Sequence, residues 1–327
     1  MRIDAVEPRD LDLDVADELA ALRRSCLAGV QVAPYSGPAL LLDLVEGSGE
    51  PEDQTVLLAR DGDRLVGWAR ATAPVREYTD CLFLSGCVAP DRQGQGAADA
   101  LALLERIVDG TERTRLRARA WEGTPGPASL SAWGFERSHT SAVRRQQLDD
   151  PDPSWGAMRR EAEAARQRSG DYELVRRVGP TPETDLPEMV VLREAINDAP
   201  DALEYESYPV ERIAAYEQAL VRRRQTQYTI VARHRATGDP AGLTMVCVDE
   251  FDPTVAHQED TSVVRAHRGH RLGLLLKLEM IEWLRRERPE VTALETWNDV
   301  TNHHMIAVNE RLGMREVARN TVFKRSV

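Results

Sequence analysis

The sequence predicts an α/β (mixed α+β) chain of two tandem domains, each built from one sheet flanked by helices. The first observation is length, because 327 residues exceed a single comfortable core and correspond to about two domains. The second is that one order of predicted strands and helices occurs twice along the chain. The third is a glycine-bearing turn between a strand and a helix, which occurs once in each half at an offset of 175 residues.

The first predicted domain covers residues 1–150. Its turn Asp61-Gly62-Asp63 lies between two alternating apolar runs, which is the usual signal for a hairpin. The predicted elements, in chain order, are a strand at 2–6, a helix at 11–27, strands at 55–60, 64–72 and 79–88, a helix at 98–108, and strands at 114–121 and 138–148.

Residues 151–170 predict a connector, because Pro151 and Pro153 break any regular element and residues 158–168 form a polar, charged helical pattern. The second predicted domain covers residues 171–327. Its elements are a strand at 172–178, helices at 185–197 and 210–222, strands at 228–234, 241–248 and 260–264, a helix at 274–286, a strand at 292–297, a helix at 303–311 and a strand at 317–324.

Composition excludes several classes of protein. Hydrophobic residues make up 42% of the chain and charged residues 29%, which is typical of a globular protein. A net charge of −12 argues against nucleic acid as a partner. The N-terminus lacks a signal-peptide pattern and no run of about 18 apolar residues follows, so we expect a cytoplasmic protein with no membrane partner. The cysteines show no metal-ligand spacing, so we expect reduced thiols and no metal; they are Cys26, Cys81, Cys87 and Cys247.

The turn in the second half carries the strongest signal for a ligand. A strand ending at Val264 leads through a turn into a helix, and backbone N–H groups at such a turn point outward at the positive end of the helix dipole. This arrangement suits a diphosphate. The alternative is a tight corner between a strand and a helix with no ligand. The candidate binding residues are Arg268, Gly269, His270, Arg271, Leu272, Gly273 and Leu274.

The two turns resemble the acetyl-CoA signature of the GNAT (Gcn5-related N-acetyltransferase) superfamily, which reads Arg or Gln, two residues, Gly, one residue, then Gly or Ala. In the first half Gln93, Gly96 and Ala98 match it in full. In the second half Arg268 and Gly273 match its ends, while Arg271 replaces the middle glycine. The resemblance implies a mixed, largely antiparallel sheet in each domain and acetyl-CoA as co-substrate. In the first half it implies binding by Gly86, Cys87, Val88, Gln93, Gly94, Gln95, Gly96, Ala97 and Ala98.

A second family signature strengthens the resemblance. Asn302, followed at the family's spacing by Asn309 and by Leu312-Gly313-Met314, matches an asparagine that caps a helix and contacts the pantetheine arm; capping alone is the alternative. In the first half Gly123 stands in place of that asparagine, so this domain is predicted to be degenerate. The tandem arrangement is also similar in architecture to the mycothiol synthases.

The resemblance also implies where the chemistry lies. A backbone N–H late in the strand before the turn, within Thr261-Ser262-Val263, would stabilise the oxyanion, and the base would lie a few residues earlier. Glu259 is the first candidate for the base and His257 the second, since both lie on one face of an extended strand. The alternative is that these residues form a polar hairpin tip. The corresponding first-half stretch offers only Asp80, so the second half is predicted to be catalytic.

These observations predict an acetyl-CoA-dependent N-acetyltransferase that acts on the primary amine of a small molecule by direct attack on the thioester. The acidic loop at residues 198–209 contains Tyr205 and Tyr208, which would hold an ammonium group unless the loop is simply solvated. The alternative function is a non-catalytic acetyl-CoA-binding or sensing protein. The identity of the acceptor and the oligomeric state are left open.

Overall fold

The computed structural model describes residues 1–50, 52–93, 97–149, 154–198 and 205–327. Its internal contacts divide the chain into two compact units. The first unit comprises Met1–Gly47, Pro51–Ala142 and Val317–Val327, and the second comprises Ser48–Glu50 and Val143–Glu316. Each unit is a mixed sheet with helices on both faces, which confirms the predicted fold class.

The sheet of the first unit has the strand order β1-β2-β3-β4-β5-β12. Strands β1 to β4 are antiparallel neighbours, β4 and β5 are parallel, and β5 and β12 are antiparallel. The bounds are β1 (Arg2–Val6), β2 (Asp53–Asp61), β3 (Arg64–Ala73), β4 (Cys81–Val88), β5 (Arg115–Trp121) and β12 (Arg315–Ser326).

Four helices cover the sheet in the described part of the first unit: α1 (Leu13–Cys26), α2 (Gly37–Glu46), α3 (Ala97–Val108) and α4 (Gly126–Ala132). Asp12 and Ser36 cap α1 and α2 by accepting hydrogen bonds from the N–H groups of Val15 and Ala39. Helices α1 and α2 bury one apolar cluster around Trp68, and α3 buries a second cluster around Leu103. The core of this unit therefore lies on both sides of its sheet.

The second unit repeats this plan with the strand order β6-β11-β10-β9-β8-β7. Strands β7 to β10 are antiparallel neighbours, and β10 and β11 are parallel. The strands are β6 (Glu136–Gln147), β7 (Tyr172–Val178), β8 (Gln225–His234), β9 (Pro240–Asp249), β10 (Val255–Val263) and β11 (Ala293–Asp299). The helices are α5 (Ser154–Arg168), α6 (Leu186–Glu194), α7 (Val210–Arg222), α8 (Leu272–Glu287) and α9 (His303–Arg311).

The last strand of each sequence half completes the sheet of the other unit. Strand β12 pairs with β5, with Val322 opposite Arg119, so residues 317–327 belong to the first unit. Strand β6 lies beside β11, and its residues from Val143 onward belong to the second unit. The boundary predicted near residue 150 lies between the two sequence repeats. The compact units do not follow this boundary, because the two strands are exchanged. Since either partner strand offers the same backbone groups, the hydrophobic pattern does not distinguish the two arrangements.

Two further differences from the sequence expectations bear on the site. Strand β10 begins at Val255, so His257 and Glu259 lie within a strand and the hairpin-tip alternative is wrong. Within the predicted connector helix, α5 covers Ser154–Arg168, and its Ala162 and Ala165 are fully buried within the second unit. Across the described residues, no helix is long and apolar enough to cross a membrane.

Candidate active site

The parallel strands β10 and β11 separate in the middle of the second unit's sheet. Their register runs from Val255 opposite Ala293 to Gln258 opposite Thr296, although β10 continues to Val263. The register between β10 and β9 also shifts between Gln258 and Thr261, which places a bulge there. A bulge of this kind bends a strand and redirects its side chains. A gap therefore opens beside β10 immediately before the turn into α8.

The turn into α8 presents backbone N–H groups with no partner. Within it, Gly269 and Arg271 adopt left-handed conformations, with φ of 86° and 58°. The N–H of Arg268 donates to Arg265, and the first bond of the helix runs from Leu275 to Arg271. Among the residues that the structure describes, no acceptor lies opposite the N–H groups of residues 269–274. Such a row of donors at a helix N-terminus suits a diphosphate.

Arginines hold positive charge beside this turn. Arg265 and Arg268 donate to the two carboxylate oxygens of Asp198 over 2.8 and 2.9 Å. The hydrogen bond from Arg265 lowers the pKa of Asp198. Arg271 donates over 3.5 Å to Glu161 on α5. Two guanidinium groups sharing one carboxylate leave a local excess of positive charge, which favours an anionic ligand.

The two candidate bases on β10 have different partners. The exposed carboxylate of Glu259 accepts a hydrogen bond from the hydroxyl of Tyr216, over 3.4 Å. Burial raises the pKa of Tyr216 well above its usual value, so this hydroxyl stays protonated and donates. His257 lies 3.9 Å from the buried carboxylate of Glu295. Glu259 is thus the more accessible proton acceptor.

The other expected residues of the second half are held by structural contacts. The hydroxyl of Ser262 donates to the carbonyl of Leu192 over 2.7 Å, Thr261 contacts the hydroxyl of Thr244, and Val263 packs on the core. This leaves the backbone rather than the side chains of residues 261–263 for a ligand.

The two asparagines of the second signature also make contacts within the protein. Asn302 caps α9 by accepting a hydrogen bond from the N–H of Met305 over 3.1 Å. Asn309 is fully buried and donates to the side-chain oxygen of Asn298, and its expected contact with a ligand stays a prediction.

An open cleft lies in the first unit, where β4 and β5 separate after Leu84 opposite Ala118. It has a volume of about 230 Å³ and contains Gly86, Cys87, Val88 and Gln93 among its walls. Residues of α3, β5 and α4 that sequence reasoning had not selected complete it; they include Ala100, Leu104, Arg119, Trp121, Ser129 and Trp133. Among the described residues that line this cleft, none is Asp, Glu or His.

Other expected residues of the first-half turn are only partly covered by the structure. Gly94, Gln95 and Gly96 lie outside the described residues. Ala97 and Ala98 begin α3. Gln93 precedes them and donates to the carbonyl of Val88 over 3.0 Å, which fixes the start of the turn to the end of β4. In the described parts of the chain, no group of three or more His, Cys, Asp or Glu side chains is placed to hold a metal ion.

Comparisons with known proteins agree with this geometry. The model of the acetyltransferase (GNAT) family matches residues 192–314, which contain β10, the turn and α8. A tandem GNAT protein from the clavulanic acid biosynthesis pathway has 28% sequence identity and a TM-score of 0.77, over 99% of this chain and 98% of that one. No curated protein sequence matches the chain.

Two more distant solved structures share the fold. A GCN5-related N-acetyltransferase from Sphaerobacter thermophilus has 17% identity and a TM-score of 0.65, over 99% of this chain and 95% of that one. An acetyltransferase of the GNAT family from Colwellia psychrerythraea has 11% identity and a TM-score of 0.57, over 99% of both chains. Residues 192–314 thus match the GNAT acetyltransferase family, and the fold of the whole chain is similar to that of tandem GNAT proteins.

Proposed function

We propose that this protein is an acetyl-CoA-dependent N-acetyltransferase that acetylates the primary amine of a small molecule, with the chemistry in its second unit. One observation carries the proposal. Glu259 lies where β10 and β11 have separated, a few residues before the turn whose N–H groups have no partner. A proton acceptor and an anion-binding turn on one strand are what acyl transfer from a CoA thioester to an amine requires.

Different residues of β10 have different roles in the proposed reaction. Acetyl-CoA supplies the thioester carbonyl, and the acceptor supplies an amine. Glu259 takes the proton from the amine, directly or through water, as the C–N bond forms. Backbone N–H groups within residues 261–263 donate to the oxygen that becomes negative. The C–S bond then breaks, and the thiolate leaves and takes a proton from water to give CoA, since a thiolate is a good leaving group that needs no acid from the protein.

Tyr216 supports Glu259 in this scheme. Its hydroxyl donates to the carboxylate over 3.4 Å and fixes the orientation of Glu259. Because burial keeps Tyr216 protonated, it does not compete with Glu259 as a base. His257 is the second candidate for the base and lies two residues earlier on the same strand.

The first unit is proposed to bind acetyl-CoA without turning it over. Its cleft has largely apolar walls, which suit a pantetheine arm, and Gln93 lies at the start of its turn. Among the described lining residues no carboxylate or imidazole is present to take a proton from an amine. Catalysis requires a group that accepts the proton of the amine. The lack of such a group among these lining residues therefore favours binding without catalysis in the first unit.

Release of thiol from acetyl-CoA, measured with a panel of small primary amines, tests this function. The proposal expects acetyl-CoA to bind by calorimetry and free thiol to appear only when an amine acceptor is present. Binding with no thiol release for any amine would instead support a non-catalytic acetyl-CoA sensor.

A further inference from the structure

A partly open cavity of about 200 Å³ lies in the second unit on the α6 and α7 side of the sheet. It is separate from the turn before α8 and from the cleft of the first unit. Three apolar side chains, Met189, Ile213 and Met245, form part of its wall, and the rings of Tyr208 and Tyr216 form another part. The guanidinium of Arg193, on α6, also faces it.

Arg193 has few hydrogen-bond acceptors around it, although the hydroxyl of Tyr208 is one of them. Its guanidinium lies 4.7 Å from the ring centre of Tyr208 and 5.7 Å from that of Tyr216. Its Nη1 donates to the thioether sulfur of Met245 over 3.3 Å, which is a weak acceptor. Its Nε is buried, and no acceptor in the described residues lies within hydrogen-bond distance. A guanidinium carries five N–H donors in a fixed fork, so Arg193 has capacity for an anion.

The acidic residue closest to Arg193 does not use this capacity. Oδ2 of Asp260 lies 3.8 Å from Nε of Arg193, which is an ion pair but too long for a hydrogen bond. Both carboxylate oxygens of Asp260 are buried with no hydrogen-bond partner among the described residues. Burial raises the pKa of Asp260, and the fully buried Lys277 also interacts with it electrostatically. Arg193 and the amine of Lys277, whose pKa burial lowers to about 7, therefore share one carboxylate.

The other charged groups of the cavity already have partners. The carboxylate of Glu217 accepts hydrogen bonds from the backbone and hydroxyl of Thr181 and from Gln227, over 2.6 to 3.1 Å. Arg212 lies 3.2 Å from Glu50, which belongs to the same unit. Arg193 is thus the charged residue of this wall whose N–H donors are available to the oxygen of a ligand.

We propose that this cavity binds a small carboxylate, whose oxygens accept from Arg193 and whose apolar tail packs on Met189, Ile213 and Met245. The volume accommodates about six or seven heavy atoms, since a water molecule occupies roughly 30 Å³ in the liquid. A short aliphatic monocarboxylate has this size. The site goes beyond the proposed acetyl transfer, and its occupancy does not depend on that reaction. Tyr216 links it to β10, because one side chain lines the cavity and donates to Glu259.

The first test compares each acid with its uncharged amide on the full chain. Propionate, butyrate and valerate are titrated by calorimetry and by thermal shift at fixed ionic strength, beside propionamide, butyramide and valeramide. We expect at least one carboxylate to bind and to raise the melting temperature, and its amide of equal shape to bind at least tenfold more weakly. The proposal is overturned if no carboxylate binds, or if acid and amide bind equally.

Two variants locate the binding. Arg193→Met retains most of the side chain's volume and removes the charge, and Ile213→Phe fills part of the cavity while keeping Arg193. We expect each to weaken binding of the carboxylate at least tenfold, as loss of a charge-assisted hydrogen bond or of space would do. Arg286→Met, an exposed arginine paired with Glu287, is the matched control and keeps wild-type affinity.

The variants also remain informative if one of them is unstable. Should Arg193→Met fail to fold, Ile213→Phe and the acid-to-amide comparison decide the question. A folded Arg193→Met protein that binds the carboxylate with wild-type affinity overturns the assignment. Acetyl-CoA titrated into the same samples reports separately on the proposed function, so the two proposals fail by different measurements.

Discussion

The hydroxyl of Tyr216 on α7 donates a hydrogen bond to Oε2 of Glu259 on β10, over 3.4 Å. These residues lie 43 positions apart in the sequence and meet where β10 separates from β11. Tyr216 also lines the cavity that contains Arg193. One aromatic side chain therefore connects the proposed base to the proposed carboxylate site.

Replacing Tyr216 with phenylalanine removes this donor while keeping the ring. The hydrogen bond from Tyr216 orients the Glu259 carboxylate, so its loss should weaken proton transfer from the amine. We expect kcat/KM near neutral pH to fall by up to about tenfold, the scale of one modest hydrogen bond. Steady-state kinetics check this, and an unchanged kcat/KM would show that Tyr216 does not act on the base.

Ala100→Trp should fill the cleft of the first unit, since Ala100 on α3 lines it. We expect the stoichiometry of acetyl-CoA binding, measured by calorimetry, to fall from two molecules per chain to one. Turnover at saturating acetyl-CoA should stay within about twofold of wild type, because the proposed base lies in the other unit. Loss of turnover in a folded Ala100→Trp protein would place the chemistry in the first unit.

Gly273→Glu tests the turn before α8, and is best measured in the Ala100→Trp background, where one acetyl-CoA site remains. A carboxylate at the start of α8 would repel the diphosphate, so we expect affinity for CoA to fall at least tenfold. Gly273→Ala is the matched control, because a Cβ there would lie 3.8 Å from Val263, an ordinary contact. Unchanged CoA affinity in Gly273→Glu would remove this turn from the binding site.

Lys277→Met should remove a pH dependence of stability. Burial lowers the pKa of Lys277 from 10.5 to about 7 in the folded protein. Between these values the unfolded chain binds the extra proton, so the free energy of unfolding rises with pH, by about 1.4 kcal/mol per unit for this group. We expect the methionine variant to lack that rise and to be the more stable protein below pH 7. Parallel changes in the urea midpoints of the two proteins, measured near pH 6.5 and pH 9.5, would contradict this.

Local signals in the sequence were sufficient for much of the fold. Helix α9 was predicted with its observed bounds, because Asn302 provides an N-cap directly before its first residue. Helix α7 was also predicted with its observed bounds, since its apolar residues recur at helical spacing. Helix α2 was not predicted, although Ser36 caps it and proline follows at the start of the helix. This helix has only ten residues and is strongly apolar, so periodicity alone does not distinguish it from a buried strand.

Contacts between residues that lie far apart in the chain could not be predicted from the sequence. The start of β10 was placed too late because His257, Gln258 and Glu259 are polar, yet Gln258 is buried in the strand. The approach of Tyr216 to Glu259 and the exposure of Arg193 to a cavity depend on how helices pack on the sheet. The exchange of β6 and β12 likewise depends on pairing rather than on local propensity. By contrast the turn at residues 264–273 was found, since its glycines and its position between a strand and a helix are local features.

The most direct test of the account is single-turnover acetyl transfer by Glu259→Gln, with an amine identified from the acceptor panel. We expect acetyl-CoA to bind normally and the transfer rate to fall by roughly 100-fold or more, the usual scale for a general base. The loss should be smaller at high pH, where more of the amine is already neutral. Glu211→Gln, an exposed residue on α7, is the control and should behave as wild type. Normal turnover in Glu259→Gln together with its loss in His257→Ala would move the base to His257, and normal turnover in both with its loss in Asp80→Asn would contradict the assignment of catalysis to the second unit.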